Sequence, residues 1–128
     1  MTLILDAGGV SALVANRDRL AALHRRNAWP PEVPAAVLVE ALTGDQTRDV
    51  RTNRLLRTCL VVDVDERLSR EAARLRTATR RAGTISAVDA IVVAVAQERP
   101  DPTVLTSDPL DIGALAEHAT LPVRVRGV

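Results

Sequence analysis

The sequence predicts an α/β fold, a sandwich of helices around a mostly parallel sheet. Three observations carry that prediction. Short aliphatic runs at Thr2–Leu5, Leu60–Val64 and Thr103–Thr106 have the residue types of buried strands. Segments of helical character separate them. Of the 128 residues, 47% are hydrophobic and Trp29 is the only aromatic, so the core is aliphatic. It is large enough for one domain over residues 1–128.

Element by element, Thr2–Leu5 reads as a buried strand that ends at Asp6. Gly8-Gly9 then permits a tight turn beside that carboxylate. Val10–Ala15 and Asp18–Arg26 read as helices, the second turning Leu20 and Leu23 to the core. Asn27–Pro34 reads as a loop because of Pro30, Pro31 and Pro34. Ala36–Thr43 is helical by composition and Gly44 stops it. Asp45–Thr58 reads as a polar helix, Leu60–Val64 as a strand, and Glu66–Arg81 as an amphipathic helix ended by Gly83. Ala87–Gln97 is apolar nearly all round, so it is a buried helix. Thr103–Thr106, Pro109–Glu117 and Val123–Val125 complete the chain as strand, helix and strand.

Composition narrows the function classes. No basic leader precedes a long apolar run, and Ala90–Ala96 is too short to span a membrane, so a cytoplasmic protein is expected. Cys59 is the only cysteine, which excludes an internal disulfide; it reads as a small buried hydrophobe. The formal charge is +1, yet every one of the 17 basic residues is arginine. Arginine offers a planar fork to phosphate and carboxylate groups. Scarce aromatics weaken any function that stacks bases on side chains.

The chemistry lies in four carboxylates placed where apolar residues are expected: Asp6, Glu40, Asp89 and Asp108. A buried carboxylate must be hydrogen-bonded, paired or bound to metal. Asp6 and Asp108 follow strands, and sites in open α/β sheets form at strand C-terminal ends. Glu40 and Asp89 arrive from helices. Such a cluster suits Mg²⁺ or Mn²⁺, which prefer oxygen ligands and activate water for phosphoryl transfer. Plainer roles exist as well: Ser86-Ala87-Val88-Asp89 fits a capping box, and Asp108-Pro109-Leu110-Asp111 fits a helix start. Asp111, one turn on, is a second-rank metal ligand acting through water. Arg70 and Arg74, with Arg67 and Arg81, share much of one helix face, and Arg48, Arg51 and Arg54 form a second cluster. Either set can hold a nucleic-acid backbone or be a solvated face.

Taken together, the motifs resemble those of PIN-domain ribonucleases, in particular the short VapC-like toxins of type II toxin–antitoxin pairs. Leu3-Ile4-Leu5-Asp6, Val39-Glu40-Ala41-Leu42, Ser86-Ala87-Val88-Asp89-Ala90 and Leu105-Thr106-Ser107-Asp108-Pro109-Leu110-Asp111-Ile112 carry the likeness. The resemblance implies a three-layer α/β/α sandwich. It implies an acidic quartet of Asp6, Glu40, Asp89 and Asp108, assisted by Asp111, that uses Mg²⁺ or Mn²⁺ to hydrolyse RNA. It further implies a homodimer restrained by a cognate VapB-like antitoxin. Surplus aliphatic surface at Leu13, Leu20, Leu23, Leu38 and Leu42 points the same way. One departure stands out. The family often has Ser or Thr two residues after the first Asp; here Gly8 stands there, leaving Ser11, Thr106, backbone or water to steady Asp6. A nuclease acting on DNA and a non-catalytic binding module are the alternatives. A phosphoacceptor receiver domain fits poorly, since it needs a lysine that the chain lacks.

Overall fold

The computed structural model describes residues 1–128. Five strands, β1 (Thr2–Leu5), β2 (Glu32–Pro34), β3 (Leu60–Val62), β4 (Pro102–Thr106) and β5 (Arg124–Gly127), form one sheet in the order β3-β2-β1-β4-β5. Every neighbouring pair is parallel. Helices α1 (Ala7–Ala15), α2 (Arg17–Arg25), α3 (Leu38–Ala41) and α4 (Val50–Leu56) group on one face. Helices α5 (Glu66–Ala78), α6 (Ala87–Ala96) and α7 (Pro109–Ala116) group on the other. The result is a three-layer α/β/α sandwich.

The chain winds outward from β1 in one direction to β2 and β3, then returns to place β4 on β1's other side. The switch point therefore lies between β1 and β4, where a crevice opens at the strand C-termini. Register sharpens this. Leu3 aligns with Thr103 and Leu5 with Leu105, so both strands end level. The central strands are buried on both faces: Ile4, Leu5, Val33 and Val104 have essentially no exposure. Helix α6 lies over them, and Val92 through Ala96 is completely buried. That accounts for its nearly unbroken apolar sequence.

Several local expectations change. The stretch read as a loop, Asn27–Pro34, contains β2. Its prolines flank or end the strand, where a missing N–H costs little, and Val33 between them is wholly buried. The long helix expected from Asp45 shrinks to Val50–Leu56. Asp45 Oδ1 instead accepts from Thr47 N and Arg48 N, folding the first residues into a turn. Helix α5 ends at Ala78, well before Gly83. There Thr79 Oγ1 donates to Arg76 O and accepts from Arg81 N, while Arg80 takes a left-handed φ of 58°. Helix α1 starts at Ala7, so both glycines are helical and no tight turn forms. The leucines expected to be surplus are not an exposed face: Leu13 and Leu23 are buried, and Leu20, Leu38 and Leu42 are half-buried. No helix is long and apolar enough to cross a membrane.

Gly8 and Gly9 serve close approach. A Cβ on Gly9 would lie 2.4 Å from the Leu105 carbonyl oxygen, and one on Gly8 2.8 Å from the Ser107 amide nitrogen. Backbone atoms cannot yield as a flexible side chain can. Gly9→Ala should therefore cost about 1–3 kcal/mol, the usual scale for overpacking. Gly113→Ala, on α7 where an added Cβ meets nothing within 4 Å, should gain about 0.5–1 kcal/mol. Urea unfolding of the two variants checks both signs.

Candidate active site

Because β1 and β4 end level, Asp6 and Thr106 meet at the crevice. Asp6 is 5% exposed and caps α1, its Oδ1 accepting from Gly9 N at 2.7 Å. Its Oδ2 accepts from the Thr106 hydroxyl. That same hydroxyl oxygen accepts from Asp108 N at 2.8 Å. One threonine thus fixes the first acid and the backbone of the last. It steadies Asp6 where Gly8, two residues on, has no side chain to do so and where an added Cβ would clash with Ser107. Ser11 is exposed and makes no such bond. Burial raises the Asp6 carboxyl above its ordinary range, against the pull of the Thr106 and Gly9 bonds.

The other acids come from helix starts. Ser86 caps α6 through Val88 N and Asp89 N, leaving the Asp89 carboxylate in the third helical position and free to face the crevice. Asp108 caps α7, its Oδ1 accepting from Asp111 N at 3.3 Å. Carboxylate oxygens of Asp89, Asp108 and Asp111 all lie within 4.8 Å of one another. Exposed Glu40 on α3 and buried Asp6 line the same cleft, a space of about 360 Å³, but stand outside that tight triad. The structure therefore gathers all five acids, and it brings Asp111 closer to Asp89 than its second-rank reading implied.

Electrostatic strain is concentrated at Asp89. Burial, then the charges of Asp6, Asp108, Glu40 and Asp111, push its carboxyl up to about 7. One cationic side chain bonds an acid of the cleft: Arg81 Nη2 donates to Asp111 Oδ1 at 2.8 Å. The donors are all oxygen, three of them converge, and a single guanidinium offsets their charge. That set fits a hard divalent cation.

Thr84, Ser86 and Ser107 border the acids without having been read as site residues, and Arg81, read as part of the long helix's arginine face, lies past the end of α5 and bonds Asp111 instead. Arg81 sits just before the Ser86–Asp89 motif, and that spacing was the available signal. Arg70 pairs with Glu66 at 2.8 Å and Arg74 with Glu71 at 2.6 Å, both within α5. Burial pushes the Cys59 thiol up to about 11, which removes it as a nucleophile. His24 stacks on Trp29 at 4.2 Å, away from the acids.

Comparison with known proteins agrees with this fold. Residues 3–110 match the PIN domain family. Three solved structures share the fold. DNA-bound VapBC from Salmonella typhimurium is 18% identical with a TM-score of 0.65, covering 99% of this chain and 98% of that one. VapBC2 from Rickettsia felis, bound to a promoter DNA fragment, is 14% identical with a TM-score of 0.66, covering 98% and 99%. FitAcB from Neisseria gonorrhoeae is 20% identical with a TM-score of 0.62, covering 96% of each chain. No curated protein matches the sequence.

The raised Asp89 carboxyl has a stability consequence. Between about pH 4 and 7 the folded protein keeps a proton that the unfolded chain has released, so stability falls as pH rises through that window. Asp6 acts with the same sign, whereas Asp49, lowered by the Thr43 amide, titrates below it. In EDTA, the melting temperature should fall from pH 5 to pH 8. Asp89→Asn should flatten much of that slope and melt above the wild type at pH 8. Thermal melts across the range check this; a wild-type profile that stays flat or rises contradicts it.

Proposed function

Since the chain belongs to the PIN domain family, we propose that it is a metal-dependent endoribonuclease toxin held in check by a VapB-like antitoxin. One observation carries the reading: five carboxylates share the crevice at the sheet's switch point. Asp89, Asp108 and Asp111 would hold Mg²⁺ or Mn²⁺, with Asp6 and Glu40 completing the acidic wall. Bound there, such an ion supplies an activated water and neutralises charge on the phosphoryl oxygens.

The protein's own groups have distinct tasks in this proposal. Asp6 is locked by two hydrogen bonds and orients the site. Asp89 can hold a proton at a carboxylate oxygen near neutral pH. Glu40, exposed at the mouth, faces the incoming strand. The Arg81–Asp111 pair supports inhibition by a partner's arginine, since a guanidinium is accommodated among these acids. Assembly as a homodimer also belongs to the proposal. Its support has moved from the leucines expected to be surplus, which are buried or half-buried, to Val39 and Leu110, which flank the acids and are 82% and 83% exposed.

Purified protein should cleave RNA in Mg²⁺ or Mn²⁺ and lose that activity in excess EDTA. Asp108→Asn and Asp6→Asn should each slow cleavage by about 10²-fold or more, the scale of removing a charge-organising group at a reacting centre. Incubation with matched RNA and DNA strands, followed by sequencing of the fragment ends, checks the substrate class. Preferential cutting of DNA would favour the DNA-nuclease alternative. Full activity in EDTA would reject the metal assignment.

A further inference from the structure

A cleft walled by carboxylates repels phosphates, so a nucleic-acid strand must be held by positive charge beside it. Five of the 16 acidic residues line the cleft, which leaves the rest of the surface rich in arginine. The two arginine clusters differ in how they are engaged. On α5, Arg67 pairs with Glu98, Arg70 with Glu66, and Arg74 with Glu71. On and just after α4, exposed Arg51, Arg54 and Arg57 have no carboxylate within ion-pair distance. The segment Val50–Val62 contains no acidic residue at all. The nearby acids are occupied elsewhere: Asp49 accepts from Thr43 and Gly44, and Asp45 from Thr47 and Arg48.

The unpaired guanidinium groups border two recesses that meet at Arg54. On one side Arg17, Arg51 and Arg54 border a recess of about 200 Å³ that Leu13, Val14, Leu20 and Leu55 also line. On the other, Arg54 and Arg57 join the amides of Gln46 and Asn53 around a recess of about 400 Å³. Helix α1 links this ridge to the acids. Ala7 and Gly8 line the acidic cleft, and Val14, on the same helix, lines the first recess. From Gly8 to Val14 the helix rises about 9 Å at 1.5 Å per residue.

We infer that Arg51, Arg54 and Arg57 form the track that holds the phosphate backbone of the strand entering the acidic cleft. The α5 arginines Arg67, Arg70 and Arg74 each already have a carboxylate partner, Glu98, Glu66 and Glu71. The inference rests on the nuclease reading and names the surface that reading needs. Recognition is by phosphate, so it tolerates sequence and weakens with salt.

The test is anisotropy of a labelled single-stranded RNA, titrated in EDTA at several salt concentrations so that nothing is cut. Arg51→Gln/Arg54→Gln/Arg57→Gln should bind about tenfold or more weakly near 0.1 M salt. It should also reduce the slope of log affinity against log salt by about 2, three phosphate contacts at ~0.7 each. Arg54→Gln alone should give a smaller change of the same sign, and Arg70→Gln/Arg74→Gln little change. Unchanged affinity and slope in the triple variant overturn the inference, as does an effect confined to the α5 pair. So does a triple variant that binds RNA normally but loses an acidic amphipathic peptide, since the ridge would then be a protein-docking face. Cleavage by the wild type in Mg²⁺ tests the nuclease reading separately. A protein that cuts RNA yet shows no α4 dependence fails only here.

Discussion

The Thr106 hydroxyl joins the two halves of the acidic site. Its one proton goes to Asp6 Oδ2, and its lone pair takes the amide of Asp108. A hydroxyl can do both at once; a methyl can do neither. The arrangement depends on the level ends of β1 and β4, which the parallel register fixes. It also depends on the glycines of α1, which let that helix close on the turn after β4. A buried hydrogen bond to a charged group contributes roughly 1.5–3 kcal/mol, and leaving its partner unsatisfied costs a comparable amount. Strand register, helix start and carboxylate position therefore share a single point of control.

The site is built against the stability of the chain that carries it. Three carboxylates whose oxygens lie within 4.8 Å repel one another, and Asp89 shows the strain most clearly. Helix starts lessen it. Asp6 and Asp108 cap α1 and α7, and Asp89 stands in the first turn of α6, where exposed amides favour negative charge. Of the roles read from the sequence, the Ser86 and Asp108 caps form, whereas Asp89 makes no return bond to the Ser86 amide and keeps its carboxylate in the cleft. Arg81 adds a partial counter-charge at Asp111.

How much of this was legible depended on whether the signal was local. The strands at Thr2–Leu5 and Thr103–Thr106, the acids that follow them and the apolar helix over the sheet were readable from pattern alone. Strand β2 was not: it is three residues long, set among prolines, and owes its strand state to the neighbours on either side. The early end of α5 turned on one threonine hydroxyl, where glycine was the stronger textual cue. Thr106 was among several candidates to steady Asp6. Only the register of two strands a hundred residues apart selects it. Pairing state was legible only in part. The Glu66–Arg70 spacing and the acid-free run Val50–Val62 hinted at the difference between Arg70 and Arg54, but the Arg67–Glu98 pair, 31 residues apart, is set only in three dimensions.

The central claim is that the threonine joint organises a cation site. Calorimetric titration of Mn²⁺ into wild type, Thr106→Ser and Thr106→Val tests it most directly. Thr106→Ser keeps the hydroxyl and should bind Mn²⁺ nearly as the wild type does. Thr106→Val should remain folded yet bind about 10–100-fold more weakly, the usual effect of removing a group that orients metal ligands. Equal Mn²⁺ affinity in a folded Thr106→Val variant, or no saturable binding in the wild type, would contradict the account.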